Sequence, residues 1–287
     1  MGRLGGLQGF VLATSLIEAA LVSGCAIPDD DPLDGSDWRD GELADGGVII
    51  VSPNPDPQAG SEDGGGGRTG GDWIINGLSE PTVSGVKTAY PLDSPQGLGA
   101  EGWLVEGDPY GEKVIRYLVE CALDEGDSIT VTGASGTYLF EGDVGLAPEW
   151  KDEPCDATCQ QWVSACLLAR TNETGADVMI FVQGGHSNLG FGVDPEYPNY
   201  EGTFFGNVFV DPPPMYACRG TASGTLASQL QGRNCTLSEE HCGFTTLSDC
   251  TQQAGCGVDS TGVATHDCQP VAGGPVYQGI SVHVITP

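Results

Sequence analysis

The sequence predicts an α+β fold: a small disulfide-stabilised domain with two amphipathic helices and short β-strands, plus a cysteine-rich, irregular C-terminal module. Three observations carry that expectation. Two segments place apolar residues at helical spacing, the short β-like runs do not alternate regularly with them, and 11 cysteines stand in 287 residues. Irregular alternation argues against a doubly wound parallel sheet. So dense a use of cysteine points to an oxidising compartment. Hydrophobic residues at 39% are too many for a wholly disordered chain, while 45 glycines and 19 prolines call for long irregular stretches.

Residues 1–24 read as an export signal. Arg3 supplies a positive start, residues 10–22 a short apolar segment, and Ser23 and Gly24 the small residues before Cys25. The string Leu21-Val22-Ser23-Gly24-Cys25 resembles the lipobox of bacterial lipoproteins. In that family the cysteine thiol receives a diacylglyceryl group, and cleavage before it makes the cysteine the new N-terminus. The resemblance therefore implies lipidation of Cys25 and a membrane partner reached through an N-terminal lipid. Glu18 departs from the family pattern, which excludes charge from the apolar segment. Ala26, not Asp, follows the cysteine, which by the same resemblance implies the outer membrane or cell surface. No uninterrupted apolar run reaches the roughly 18 residues of an ordinary membrane-spanning helix.

Residues 25–72 are expected to form an acidic, Gly/Asp-rich disordered tether. They hold Asp29-Asp30-Asp31, further spaced aspartates, a four-glycine run from Gly64 to Gly67 and few apolar residues except residues 48–51. Such a segment buries too little surface to offset its ordering entropy. A calcium loop fails on spacing, because counting from Asp30 puts Pro32 third and Gly41 twelfth. The acidity is not confined to the tether. Segments 25–72, 73–220 and 221–287 carry net charges of −10, −16 and −4, within a total of −30. That balance excludes a role resting on non-specific attraction to nucleic-acid phosphates.

An α+β domain is expected over 73–217. Val114, Tyr117, Leu118 and Cys121 fall at helical spacing ahead of Gly126, which predicts a helix over 111–124. Cys159, Trp162, Val163, Cys166 and Leu167 predict a second, with Asp156 as its N-cap and Arg170 favouring its C-terminal end. β-like runs lie at 128–132, 137–140, 178–182, 203–210 and 277–285, separated by glycine and proline turns. The phrases Tyr117-Leu118-Val119-Glu120-Cys121-Ala122-Leu123, Gly145-Leu146-Ala147-Pro148-Glu149-Trp150, Trp162-Val163-Ser164-Ala165-Cys166-Leu167-Leu168-Ala169-Arg170 and Glu201-Gly202-Thr203-Phe204-Phe205-Gly206-Asn207 resemble a family of exported proteins from myxobacterium-type bacteria. The similarity covers about residues 114–220 and implies export without adding a mechanism.

If Cys25 carries lipid, ten cysteines remain, an even number suited to disulfides. Cys159 and Cys166 share a helix face, but at 1.5 Å per residue their Cα atoms stand roughly 10 Å apart, too far to bridge. If Cys121, Cys155, Cys159 and Cys166 form a closed set, two pairings survive. They are Cys121–Cys166 with Cys155–Cys159, or Cys121–Cys159 with Cys155–Cys166. The first is preferred, because Cys155 and Cys159 flank one helical turn. Cys218, Cys235, Cys242, Cys250, Cys256 and Cys268 are expected to pair among themselves in the module 218–287, in one of 15 ways. A zinc site built on Cys155 and Cys159 with His241–Cys242 or with His266 and Cys268 is the competing reading. Its spacings are looser than zinc pairs usually are, so no metal or other cofactor is expected.

The best catalytic candidate is Val182-Gln183-Gly184-Gly185-His186-Ser187-Asn188-Leu189-Gly190 after an apolar run. It is somewhat similar to the nucleophile elbow of α/β-hydrolases, with Leu189 where that motif's second glycine belongs and no helix-forming sequence behind it. A serine hydrolase using Ser187, with Asp259 and His266 or His283, is therefore the alternative. The leading expectation is a surface lipoprotein of the cell envelope with a structural or ligand-binding role. Tyr197, Tyr200, Phe204 and Asn207 are the residues that would face a carbohydrate or protein ligand.

Overall fold

The computed structural model describes residues 43–44, 48–51, 70–79, 81, 83, 85–98, 103–106, 111–237, 242–262 and 264–286. Contacts divide the chain after Trp38, and everything described lies in the second unit, Arg39–Pro287. The fold is mixed α+β and mostly strands. The first strands are β1 (Leu43–Ala44), β2 (Val48–Val51) and β3 (Asp72–Asn76), followed by helices α1 (Trp103–Glu106) and α2 (Gly111–Ala122). Then come β4 (Ser128–Thr132), β5 (Thr137–Glu141), α3 (Ala157–Ala169), β6 (Val178–Gly184), β7 (Asn199–Gly206), β8 (Met215–Arg219) and α4 (Leu226–Leu230). The chain closes with β9 (Thr245–Leu247), β10 (Gly257–Val258), β11 (Thr265–His266) and β12 (Gly279–Val284).

Six strands form the main sheet in the order β3-β6-β12-β7-β8-β9. All neighbours in it are antiparallel except β8 and β9. A second sheet runs β1-β2-β5-β4. Helix α3 packs on β7 and β12, while α2 packs on α3 and β5. Covered from both sides, α3 has no exposed residue from Trp162 to Ala169, which is why that stretch is apolar nearly all round. Helix α2 keeps its polar side, with Glu112, Lys113 and Arg116 half-buried while Tyr117 to Ala122 are buried.

Asp156 caps α3 as its position suggests, its Oδ1 accepting from Thr158 N and Cys159 N at 2.9 Å each. Replacing it with alanine will lower stability by about 1 kcal/mol, read as a shift in the denaturant midpoint at unchanged slope. Arg170 is the C-cap residue of α3, its backbone N–H donating to Cys166 O and Leu168 O, and its side chain has a second role. It is buried, pairs with Glu120 of α2, and reaches Asp143 at 3.4 Å. The last carbonyl of α3, Ala169 O, accepts from Arg233 at 3.1 Å, and Arg233 also reaches Thr171 O just beyond the helix at 3.4 Å.

Two expected boundaries change. Residues 48–51 do not belong to a structureless tether, because Val48–Val51 pairs in parallel with β5. Its Val-Ile-Ile-Val sequence is strongly β-forming and finds a sheet edge. Nor does residue 217/218 separate two folds. β12 lies between β6 and β7 at the centre of the main sheet, with every residue buried, so the C-terminal segment completes the core of the segment before it. A satellite cluster remains under that segment, built from Phe205, Leu247, Tyr277 and the sulfurs of Cys218, Cys250, Cys256 and Cys268.

The ten cysteines after Cys25 are all paired. The bridges are Cys121–Cys166, Cys155–Cys159, Cys218–Cys250, Cys235–Cys242 and Cys256–Cys268. Cys121–Cys166 joins α2 to α3. Cys155–Cys159 clips the start of α3, and Cys235–Cys242 packs with the main core, away from the satellite cluster.

Candidate functional site

The main sheet has one face toward α3 and another toward the C-terminal segment. On the second face the strand registers align an aromatic row. Trp73 lies opposite Phe181, Phe181 opposite His283, and His283 opposite Tyr200, across β3, β6, β12 and β7. Ring centroids are 5.6, 6.2 and 5.3 Å apart in that order. Such cross-strand pairs are the unit of sheet stabilisation. A polar row runs beside it, Gln183 opposite Ser281 opposite Thr203 opposite Cys218.

A bulge makes this face possible. Val282 pairs with Gly202 but His283 pairs with Tyr200, so β7 carries one extra residue, Glu201. Strict alternation would put Glu201 on the same face as Thr203. The bulge turns it to the α3 face, where it meets Arg233 beneath the Phe204 ring, and brings Tyr200 round to Thr203. The Tyr200 hydroxyl lies 2.7 Å from both Thr203 Oγ1 and Thr265 Oγ1, and Thr203 Oγ1 is 2.7 Å from Ser281 Oγ. Burial raises the Tyr200 pKa above its ordinary value, so this network stays neutral.

Above the row the segment 190–198 returns across the sheet and forms one wall of a cleft. The cleft has a volume of about 190 Å³ and is lined by Gln183, Asp194, Tyr197, Tyr200 and His283, among others. Its wall is held at several points. Gln183 Oε1 accepts from Gly192 N at 3.0 Å. A side chain at Gly192 would meet the Gly70 carbonyl at 2.1 Å, so the two backbones can pass only with glycine there. Asp194 accepts from Glu196 N at 2.7 Å and from the Trp73 indole at 2.8 Å. Tyr197 leans on Phe181 with centroids 6.3 Å apart.

The residues singled out from the sequence are distributed otherwise than a hydrolase needs. Ser187 is exposed at the tip of a tight turn. Gly184 N donates to Gly190 O at 3.1 Å, closing that turn back on itself, and no helix follows before β7. Asn188 ties the turn down, donating to Asp124 Oδ1 at 2.8 Å and Gly145 O at 2.7 Å. His186 packs edge-on against Trp162, and burial lowers its pKa. His266 pairs with its neighbour Asp267 at 2.8 Å and lies against Phe191. Asp259 spends its carboxylate on Thr261 N and Ala264 N. Among the described residues no hydrogen bond joins Ser187 to a histidine.

The sulfurs of Cys218, Cys256 and Cys268 lie within 4.8 Å of one another. They belong to two disulfides, and a bridged sulfur is not the thiolate a zinc ion binds. Cys155 and Cys159 bond each other, and Cys242 bonds Cys235; His241 lies outside the described residues. Of the four residues expected to face a ligand, Tyr197 and Tyr200 line the cleft, whereas Phe204 is fully buried against Phe244 and Asn207 donates to Gln160 at 3.1 Å.

The row partners Trp73, Phe181, Gln183 and His283 come together through registers between segments as far apart as 73 and 283. Trp73 and Gln183 fall outside the β-like runs read from the sequence, so no local pattern marks the row. No helix among the described residues is long and apolar enough to cross a membrane. No protein-family model, no curated protein and no solved structure matches the chain.

Proposed function

We propose that the protein is an exported lipoprotein of the cell envelope, anchored through a lipid on Cys25 and presenting a disulfide-stabilised binding domain at the outer membrane or cell surface. The observation that carries this reading is cysteine arithmetic. Five disulfides use all ten cysteines after Cys25, so the eleventh, in its lipobox-like context, is left for another chemistry. Five bridges in one domain also suit an oxidising compartment. The acidic stretch after Cys25 separates the anchor from the first strand at Leu43. A binding role suits a domain whose cleft is walled by a pinned loop over a packed aromatic floor.

Growth with a fatty-acid analogue carrying a clickable tag tests the anchor. The wild-type chain will take up label and partition into detergent, and Cys25→Ser will lose both. Label persisting in Cys25→Ser would contradict the attachment site.

A further inference from the structure

We propose that the cleft over the main sheet binds a neutral saccharide, holding one pyranose ring between Tyr197 and the Tyr200–His283 floor. The inference deepens the binding role above and rests on it. Size comes first: about 190 Å³ is below the usual range of drug-sized sites, about 300–1,000 Å³, and suits a single small ring.

The lining chemistry then narrows the class. Tyr197 and Tyr200 supply aromatic surface, suited to a ligand that is apolar on its ring face, while the Tyr200 hydroxyl is already bonded to Thr203 and Thr265. Gln183 commits Oε1 to Gly192 N, while its Nε2 donates to nothing among the described residues. Asp194 accepts one bond on each oxygen, and a carboxylate has lone pairs beyond those two. An amide donor and a fixed carboxylate acceptor on one cleft suit neighbouring hydroxyls, each of which both donates and accepts.

Charge decides between saccharides. No Lys, Arg or His among the described residues pairs with Asp194, and the chain carries −30. An anionic sugar would be repelled from such a cleft. What the Gln183 amide and the aromatic floor can engage, a hydroxyl and a ring face, needs no charge on the sugar. The preorganisation of Asp194 by the Trp73 indole and Glu196 N means that its position is fixed before any ligand arrives.

Saturation-transfer NMR on the full, oxidised chain, in a detergent without a sugar headgroup, tests this. The probes are glucose, galactose, mannose and N-acetylglucosamine and their neutral trisaccharides, with oligogalacturonate and chitosan oligomers as charged comparisons. At least one neutral sugar will show transfer to its ring protons. Asp194→Asn will weaken its binding by about tenfold or more, as expected for losing a charge-assisted bond, and so will Tyr197→Ala. Ser187→Ala will leave it unchanged. Circular dichroism and an intact disulfide map show that each variant has folded; if Tyr197→Ala has not, Asp194→Asn carries the test.

Absence of transfer from every neutral sugar at millimolar concentration would overturn the proposal, as would a charged oligomer binding in preference. Binding indifferent to both variants would overturn the assignment to this cleft. These outcomes are separate from the anchor: a labelled, detergent-partitioning chain that ignores all sugars sinks the saccharide alone, and a sugar-binding chain without lipid sinks the anchor alone.

Discussion

Glu201→Ala will destabilise the protein by about 3–5 kcal/mol, the range for removing one partner of a buried ion pair. Glu201 and Arg233 are both fully buried, with Arg233 Nε donating to Glu201 Oε2 at 2.7 Å. The second carboxylate oxygen is 2.9 Å from Ser228 Oγ. Arg233 also satisfies the end of α3 through Ala169 O and Thr171 O. Truncating Glu201 leaves a guanidinium with no compensating charge at a site water does not reach, and loosens the grip of Arg233 on the helix. In a chain of this size the melting temperature should fall by on the order of 10 °C. The double replacement Glu201→Leu with Arg233→Met should recover much of the loss, because the pair's own net contribution is small and the orphaned charge is what is costly. A loss below about 1 kcal/mol for Glu201→Ala in equilibrium urea unfolding would mean that the pair is not buried as described.

The joint variant Cys121→Ala with Cys166→Ala will lose a comparable amount, about 4 kcal/mol for closing a loop of that size in the chain-entropy model. The two residues are 45 apart in sequence, and their sulfurs sit at the fully buried contact of α2 and α3. Removing the Cys155–Cys159 bridge should cost less, about 2 kcal/mol, because its loop is only four residues in separation. The ordering of the two variants is the sharper check, since strain and packing shift each absolute value. Urea unfolding without reductant measures both. The wider freedom of the uncrosslinked unfolded chain should also steepen the denaturant slope for the 121/166 variant. Equal losses for the two bridges would contradict a loop-closure account.

Local features of this fold are legible in the sequence and long-range ones are not. The span of α3 and its Asp156 cap follow from a short stretch of residues, as does the amphipathic face of α2. The α+β class follows from strands that do not alternate with helices. What escapes is register. Nothing near residue 280 indicates that Gly279–Val284 inserts between β6 and β7, and nothing near residue 50 indicates a partner at 137–140. The role of Arg233 was equally hidden, because the helix it caps ends 64 residues earlier. The aromatic row needs four strands in exact alignment, plus the bulge at Glu201 that turns Tyr200 to the right face. A one-residue slip would send each side chain to the opposite face, so no single segment encodes the cleft.

Ten cysteines close the fold, and the proposed role of the eleventh, Cys25, is to hold the membrane. A non-reducing peptide map of the mature protein tests both halves at once. The expected result is five linked peptide pairs, 121 with 166, 155 with 159, 218 with 250, 235 with 242 and 256 with 268, together with a Cys25 peptide carrying the mass of a diacylglyceryl group. A free thiol at Cys25, or a bridge from Cys159 to Cys166, would contradict it.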